Sequence, residues 1–268
     1  MKPGDGITPV RLLRDGVDTE DLLAVEEPLE IRLDGRPLAV LMRTPGADPE
    51  EDLNLVAGFL ATEGVIDGLD DLMALAHCPD PLRPDRSNVV LATLAPGVRA
   101  AADRFERARR DLYAASSCGL CGKASIDRVF QSAPPLAERA EVPAARIAAL
   151  VERLGRVQPR FAATGGLHGA ALFTKNGDLL AAAEDIGRHN AVDKIIGARL
   201  RQDQFPLTDH LLVVSCRAGF EIVQKALVAR IAAVIAVGAA SSLADTLARE
   251  GRLALYSFVR DGRFNAHR

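Results

Sequence analysis

"HLLVVSCRAGFEIVQKALVARIAAVIAVG", residues 210–238, holds two short, continuous apolar runs separated by a segment of helical spacing. Unbroken runs of four or five apolar residues predict strands buried on both faces, because a half-exposed strand would alternate. Between them "FEIVQKALVARI" repeats its apolar residues at helical intervals, so the stretch predicts strand, helix, strand. Such a unit pairs its strands in parallel and lays the crossover helix on the sheet. The pattern continues on both sides. "SSLADTLAREG" opens on a serine cap and closes on a glycine, and "LALYSFV" is a further strand. Upstream, "GLHGAALFTKNGDLLAAAED" is two apolar runs about Asn176-Gly177, which predicts a type I′ hairpin, and "RHNAVDKIIGARLRQD" is a helix. A helix is also expected from Pro143 to about Leu154. Residues 131–268 therefore read as an α/β domain with a mostly parallel sheet covered on both faces.

The first part of the chain differs in texture. Residues 1–23 read as a polar, flexible arm. From Val25, two alternating runs flank Asp34-Gly35, a hairpin pattern. "DPEEDLNLVAGFLATEGV" follows, with Asp48 and Pro49 opening a helix and acids in its first turn. "LMALAHC" and "SNVVLATLAPG" are short strands separated by the proline-rich stretch from Pro79 to Pro84. Residues 24–112 thus read as a smaller α+β domain, and residues 113–130 as a mobile loop.

Composition narrows the function classes. Hydrophobic residues are 48% and charged residues 26% of the chain, an ordinary globular balance. The formal net charge of -3 argues against a chain held on nucleic acid by phosphate attraction, though it leaves room for a local basic pocket. The opening residues carry no apolar signal segment, and no run approaches the ~18 apolar residues of a membrane helix. A cytoplasmic protein with no membrane or nucleic-acid partner is expected.

Ligands of an open parallel sheet bind beyond the carboxyl ends of its strands. Three such ends are conspicuous here. Ser215-Cys216-Arg217-Ala218-Gly219 follows the first strand and Gly238-Ala239-Ala240-Ser241-Ser242 the second. Phe258-Val259-Arg260-Asp261-Gly262-Arg263 follows the last. Small residues let backbone N–H groups approach an anion, and Arg217, Arg260 and Arg263 add forked positive charge suited to phosphate. A fourth polar cluster, Glu184, Asp185, Arg188, His189, Asn190, Asp193 and Lys194, lies at a strand-to-helix junction. Together they predict a crevice for a phosphorylated, nucleotide-bearing ligand. Plainer roles exist beside each: Asp185 as a helix cap, the Gly238 loop as tight geometry, Arg188 and Lys194 as surface charge, Cys216 as a small buried hydrophobe. His77 and His267 show no partner pattern.

The remaining feature is "SSCGLCGKAS", residues 116–125. Cys118 and Cys121 could serve metal, disulfide or thiol chemistry. Structural zinc needs four ligands, and no second CxxC or paired histidine accompanies this one. A reducing compartment disfavours a structural disulfide, and glycines on both sides of Cys121 make a poor thioredoxin-like helix start. A nucleophilic cysteine on a glycine-rich loop is the reading that fits, with Lys123 near enough in sequence to favour the thiolate. No metal site is expected.

Six segments in order, "SSCGLCGKASID", "TGGLHGAAL", "EDIGRHNAVDKIIG", "FEIVQKA", "SSLADTLA" and "FVRDGRFN", resemble the formate dehydrogenase accessory sulfurtransferases, the FdhD family. The resemblance spans residues 25–266. It implies a cytidine deaminase-like three-layer α/β/α domain and a homodimer. It also implies a sulfurtransferase that receives sulfur from a cysteine desulfurase as a cysteine persulfide. That sulfur would pass to the molybdenum cofactor, a bis-molybdopterin guanine dinucleotide bound transiently, before insertion into formate dehydrogenase. Carried onto this chain, Cys118 is the persulfide cysteine, Cys121 its partner, and Phe258 to Arg263 the cofactor-binding segment. The alternative kept open is a non-enzymatic zinc- or nucleotide-binding chaperone. One departure stands out: where the family reads close to S-G-R-x-S, this chain has Cys216 and Gly219 around a retained Arg217.

Overall fold

The computed structural model describes residues 5–78, 88–99 and 134–268. β1 (Ile7–Arg14) and β2 (Val17–Ala24) pair antiparallel across Asp15-Gly16, whose φ angles are 52° and 84°. A ribbon thus stands where a flexible arm is expected. Asp-Gly accepts the left-handed backbone of a two-residue hairpin turn, and that pair decides the local structure. β3 (Glu27–Leu33) and β4 (Arg36–Arg43) close in the same way at Asp34-Gly35, as expected. They join β5 (Leu72–His77) and β6 (Val89–Leu94) in a four-stranded sheet of order β4-β3-β6-β5. α1 (Glu50–Thr62) covers one face, packing Leu55 and Leu60 against Leu29, Ile31 and Val90. A short helix, α2 (Pro96–Arg99), follows β6.

The second sheet is built from the residues that opened the sequence analysis. Its strands are β7 (His168–Thr174), β8 (Leu179–Asp185), β9 (His210–Val214), β10 (Ala233–Ala236), β11 (Ala254–Arg260) and β12 (Arg263–Ala266), in the order β12-β11-β10-β9-β7-β8. Successive residues of β9 bury on opposite faces. Leu212 and Val214 meet α5 (Arg188–Leu200), α6 (Phe220–Val228) and α7 (Ser242–Glu250), while Leu211 and Val213 meet α3 (Ala144–Arg156). This is why an uninterrupted apolar run marked the strand. The result is a three-layer α/β/α arrangement. Its parallel pairings are confined to β9-β10-β11, since β7 lies antiparallel to both β8 and β9, and β12 to β11. The sheet is mixed rather than mostly parallel because two of its connections are hairpins, which force antiparallel neighbours.

One hairpin takes a different turn from the one expected. Gly177 is left-handed (φ 97°), but Asn176 is not among the positive-φ residues, so the Asn-Gly pair does not make a type I′ turn. The Thr174 hydroxyl accepts from the N–H groups of Asn176 and Asp178, and Thr174 N–H donates to Asp178 O. That side chain stabilises a longer loop. Among the described residues, no helix is long and apolar enough to cross a membrane.

The two sheets are joined through α1 and α5, which touch backbone to backbone. A methyl group on Gly58 would lie 1.9 Å from Asp193 O, and one on Gly197 would lie 1.8 Å from Asn54 O. No side chain fits between the helices at either point. α4 (Pro159–Thr164) completes the described elements between α3 and β7. In an isolated helix Gly58→Ala would gain about 1 kcal/mol from propensity. Here the rigid backbone opposite reverses the sign. Gly58→Ala and Gly197→Ala are each expected to lose about 3 kcal/mol of stability from overpacking, read as a lower urea midpoint with unchanged slope.

Candidate functional site

β9, β10 and β11 end side by side, and their following loops are knitted together. Gly238 N–H donates to Cys216 O (3.1 Å), Ala218 N–H to Ala239 O (2.9 Å), Ser241 N–H to Ala218 O (3.1 Å) and Phe258 N–H to Gly238 O (2.9 Å). A Cβ on Gly238 would come within 2.9 Å of Arg217 N, so glycine is what allows the two loops to close together. Because β7 is antiparallel to β9, its start also reaches this rim. Gly169 N–H donates to Ser215 Oγ at 2.9 Å, and His168 pairs in register with Asp185 at the end of β8.

The rim is electropositive. α5 and α6 begin here, at Gly187 and Gly219, neither with a side-chain cap. Arg188 and His189 project from the first turn of α5, and Arg217 is exposed on the loop after β9. Burial together with Arg188, His189 and Arg217 pushes the His168 imidazole below its usual range, with Asp185 opposing. His168 is therefore neutral at pH 7. Glu221 supplies the balancing anion: its Oε2 lies 3.0 Å from His189 Nε2 and 3.9 Å from Arg188. Burial alone would raise the Glu221 carboxyl, but His189, Arg188 and Lys225 outweigh it and hold it below the ordinary range. Cys216 sits beneath the rim with its thiol donating to Arg217 O at 3.2 Å. Burial pushes that thiol up to about 11, against the opposing pull of Arg188 and Arg217.

Of the residues expected to contact a ligand, Arg188, His189, Arg217 and Phe258 reach the rim. Phe258 is 43% exposed and sits in the left-handed region (φ 53°), where a bulky residue is an outlier. Arg260, Asp261, Gly262 and Arg263 form the β11–β12 turn, with Asp261 and Gly262 both at positive φ, and they extend the rim as an exposed hairpin. The others are committed elsewhere. Val259 is 1% exposed and packs against α3. The Ser241 hydroxyl caps α7 by accepting from Ala244 N–H. Asp185, Asn190 and Lys194 are buried, and their polar atoms face the protein. Lys194 Nζ lies 2.8 Å from Asp185 Oδ2 and donates to Thr44 O, while Asn190 Nδ2 bridges Met42 O and Asp185 Oδ1. Thr44 N–H donates to Asp185 Oδ2. Ligand contact, expected of these three, gives way to a clamp between β4 and α5. The physical reason is burial: an ammonium and a carboxylate inside the protein must satisfy one another. Cys118 and Cys121 lie outside the described residues.

Two further ionic knots flank the clamp. Lys225 Nζ meets Asp193 Oδ2 (2.9 Å), Thr62 Oγ1 (2.8 Å) and Glu63 (3.3 Å). Burial would lower the Lys225 ammonium, but Asp193 and Glu63 outweigh it and raise it, while burial raises the Asp193 carboxyl against the pull of Lys225 and Thr62. Glu51 joins Arg160 (2.7 Å) and Lys194 (3.3 Å). A cavity of about 370 Å³ lies beside this knot, lined by Glu51, Arg160, Glu184 and Lys194 with Ala181 and Ala183; the charges that line it already pair with protein groups.

Residues 24–268 match the sequence profile of the FdhD/NarQ family. The chain belongs to that family. A relative from Anaeromyxobacter dehalogenans, named Sulfur carrier protein FdhD, is 45% identical over 99% of this chain and 93% of its own. Relatives of the same name from Streptomyces avermitilis (46% identical, 95% and 90% covered) and Mycobacterium tuberculosis (45% identical, 92% and 90% covered) match similarly. Among solved structures, one described as a formate dehydrogenase accessory protein from Desulfotalea psychrophila shares the fold. Its TM-score is 0.71 at 22% identity, covering 97% of this chain and 95% of that one.

Within this FdhD/NarQ chain, four residues have partners that the sequence does not mark. His168 and Glu221 sit inside quoted segments, but neither carries a spacing that marks a pair. His267, which shows no partner pattern in the sequence, contacts Ser257 Oγ and Asp245 Oδ1, each at 2.8 Å. His77 likewise finds Pro49 O at 2.9 Å.

The Glu51 knot has a pH signature. Burial opposes ionisation of Glu51, yet Arg160 and Lys194 hold its carboxyl below the ordinary range. Its stabilisation is present above the unfolded carboxylate value, about 4.3, and is lost as pH falls through the lower folded value. Glu51→Gln is expected to lose about 2 kcal/mol at pH 7, with the difference from the parent shrinking below pH 4. Urea midpoints measured across that range read both effects.

Proposed function

We propose that this protein is a sulfur carrier that takes sulfur as a persulfide on Cys118 and delivers it to a guanine-nucleotide-bearing molybdenum cofactor at the rim of β9, β10 and β11. The observation that carries the second half is the rim itself. Arg188 and Arg217 and two uncapped helix starts gather beside a glycine-tightened loop and an exposed aromatic ring. Helix N-termini and arginine forks suit phosphate, and an aromatic face suits a base. The relatives' name, Sulfur carrier protein FdhD, supports the first half. The state of Cys216 removes it as the acceptor: a buried thiol held protonated is a poor nucleophile.

In the proposed step the Cys118 thiolate attacks the outer sulfur of a persulfide on a cysteine desulfurase. The donor's S–S bond breaks, and the donor cysteine leaves as a thiolate. The Cys121 thiolate then attacks the inner sulfur of the Cys118 persulfide, which breaks the S–S bond, releases the outer sulfur as hydrosulfide and leaves a Cys118–Cys121 disulfide for an external thiol to reduce; Lys123 favours the anion. Neutral His168 accepts or donates a hydrogen bond at the rim without adding charge. The sulfurated cofactor goes on to formate dehydrogenase, and the carrier works as a cytoplasmic homodimer, both carried over from the family resemblance.

Incubation with desulfurase and cysteine should add the mass of one sulfur to the 118–121 peptide and none to Cys216. A normal gain on a control acceptor with none here would overturn the carrier reading. Stoichiometric zinc that is lost in Cys118→Ser would favour the chaperone alternative. For the crevice, Arg217→Ala and Arg263→Ala should each weaken guanosine diphosphate binding about tenfold, a charge-assisted hydrogen bond's worth, by calorimetry; unchanged affinity in both would remove the nucleotide assignment.

A further inference from the structure

Ser257, His267 and Asp245 form a hydrogen-bonded relay that neither the crevice nor the CxxC pair accounts for. Ser257 Oγ lies 2.8 Å from His267 Nε2, His267 Nδ1 lies 2.8 Å from Asp245 Oδ1, and Asp245 Oδ2 is held by Arg249 at 2.7 Å. Its three members come from β11, the residue after β12, and α7. The order serine, imidazole, carboxylate is that of a hydrolytic triad, but Ser257 is 1% exposed, so no substrate carbonyl reaches its oxygen. What the relay adjoins is more informative. Ser257 pairs with Asn265 and Arg260 with Arg263, leaving Phe258 and Val259 opposite Phe264 alone. This is a β-bulge, and its first residue is Phe258, the left-handed aromatic on the rim. A bulky residue in that region costs roughly 1–2 kcal/mol and persists only where its neighbours leave no alternative.

The neighbours do so from three sides. Val259 is sunk in the core under α3, and Phe258 N–H is tied to Gly238 O. Ser257 is fixed by His267, whose own N–H donates to Leu255 O. β12 has four residues, of which only Phe264 is partly buried, edge-on against Tyr256, so it brings limited burial of its own to hold the bulge in register. The side chain of His267 supplies the missing restraint.

We propose that His267, oriented by Asp245 and acting through Ser257, is a positioning residue for the rim crevice: it fixes the bulge so that the Phe258 ring stands against the ligand's base. The proposal rests on the reading of the rim as a nucleotide crevice, and the experiment separates the two. Guanosine diphosphate binding is measured by calorimetry on the full chain, with amide hydrogen exchange followed over residues 253–260. In His267→Ala, affinity should fall about tenfold and exchange at Phe258 should quicken by about as much, the loss of one hydrogen bond. His267→Gln places an amide where Nε2 stood and should restore affinity to within about threefold. His267→Asn reaches only the Nδ1 position, keeps Asp245, and should behave as His267→Ala. A role confined to anchoring the chain on α7 would invert the last two results, and that inversion overturns the proposal. Ser257→Ala, which leaves the His267–Asp245 contact intact, should match His267→Ala and serves if the latter fails to fold. Should the parent protein bind no guanosine diphosphate, the crevice reading fails by itself. Exchange then decides: faster at Phe258 in His267→Asn sustains the positioning role, and unchanged exchange ends it.

Discussion

The contact on which the rest depends is the backbone crossing of α1 and α5 at Gly58 and Gly197. With no side chain between them, the helices lock at one distance and one rotation. Two buried ionic clusters flank that contact. Lys225 and Asp193 close it on the side of Thr62; Lys194, Asp185 and Glu51 close it on the side of Thr44. A buried ion pair adds little net stability compared with a well-packed apolar substitute, but breaking one half is severe. Each pair links an element of one sheet's layer to one of the other's, Lys194 and Asp185 to Thr44 and Glu51, and Lys225 and Asp193 to Thr62. Because Arg188 and His189 begin the same helix that carries Asp193, Lys194 and Gly197, the crossing also sets where the rim's positive charge stands.

The rim combines two kinds of precision. The loops after β9 and β10 are tied by backbone hydrogen bonds, which hold their N–H groups in place without any particular side chain. Phe258 is held by the opposite means, through a strained conformation that its neighbours enforce. Pre-set donors and a pre-set ring would lower the ordering cost for the nucleotide proposed to bind there. Glu221 adds a negative charge beside Arg188 and His189 at the rim.

Much of this was legible in the sequence. The unbroken runs of β9 and β10 and the cap and stop of α7 fall where the pattern put them, because burial on two faces and helix capping are local rules. Asp34-Gly35 was read correctly, yet the same pair at Asp15-Gly16 was passed over for the polar residues around it. Asn176-Gly177 misled, since the Thr174 hydroxyl competes for the N–H groups that would make the shorter turn. At the site, the sequence located the segments but not the direction of their side chains. Within "EDIGRHNAVDK" the helix turns Arg188 and His189 to the rim and Asn190, Asp193 and Lys194 inward. Which way each faced depended on Thr44, Met42 and Lys225, partners far off in the chain. His267 was opaque for the same reason.

That division within one short helix bears on how loss of activity in this protein is to be interpreted. On the proposed reading of the rim, a search for inactive variants would collect changes at Arg188 and at Lys194 alike, and their nearness in sequence would suggest one catalytic motif. The two are distinguishable only by how much folded protein survives. A lost rim arginine leaves an intact but idle carrier, whereas a lost clamp lysine strands the buried Asp185 carboxylate and drains the pool of native molecules.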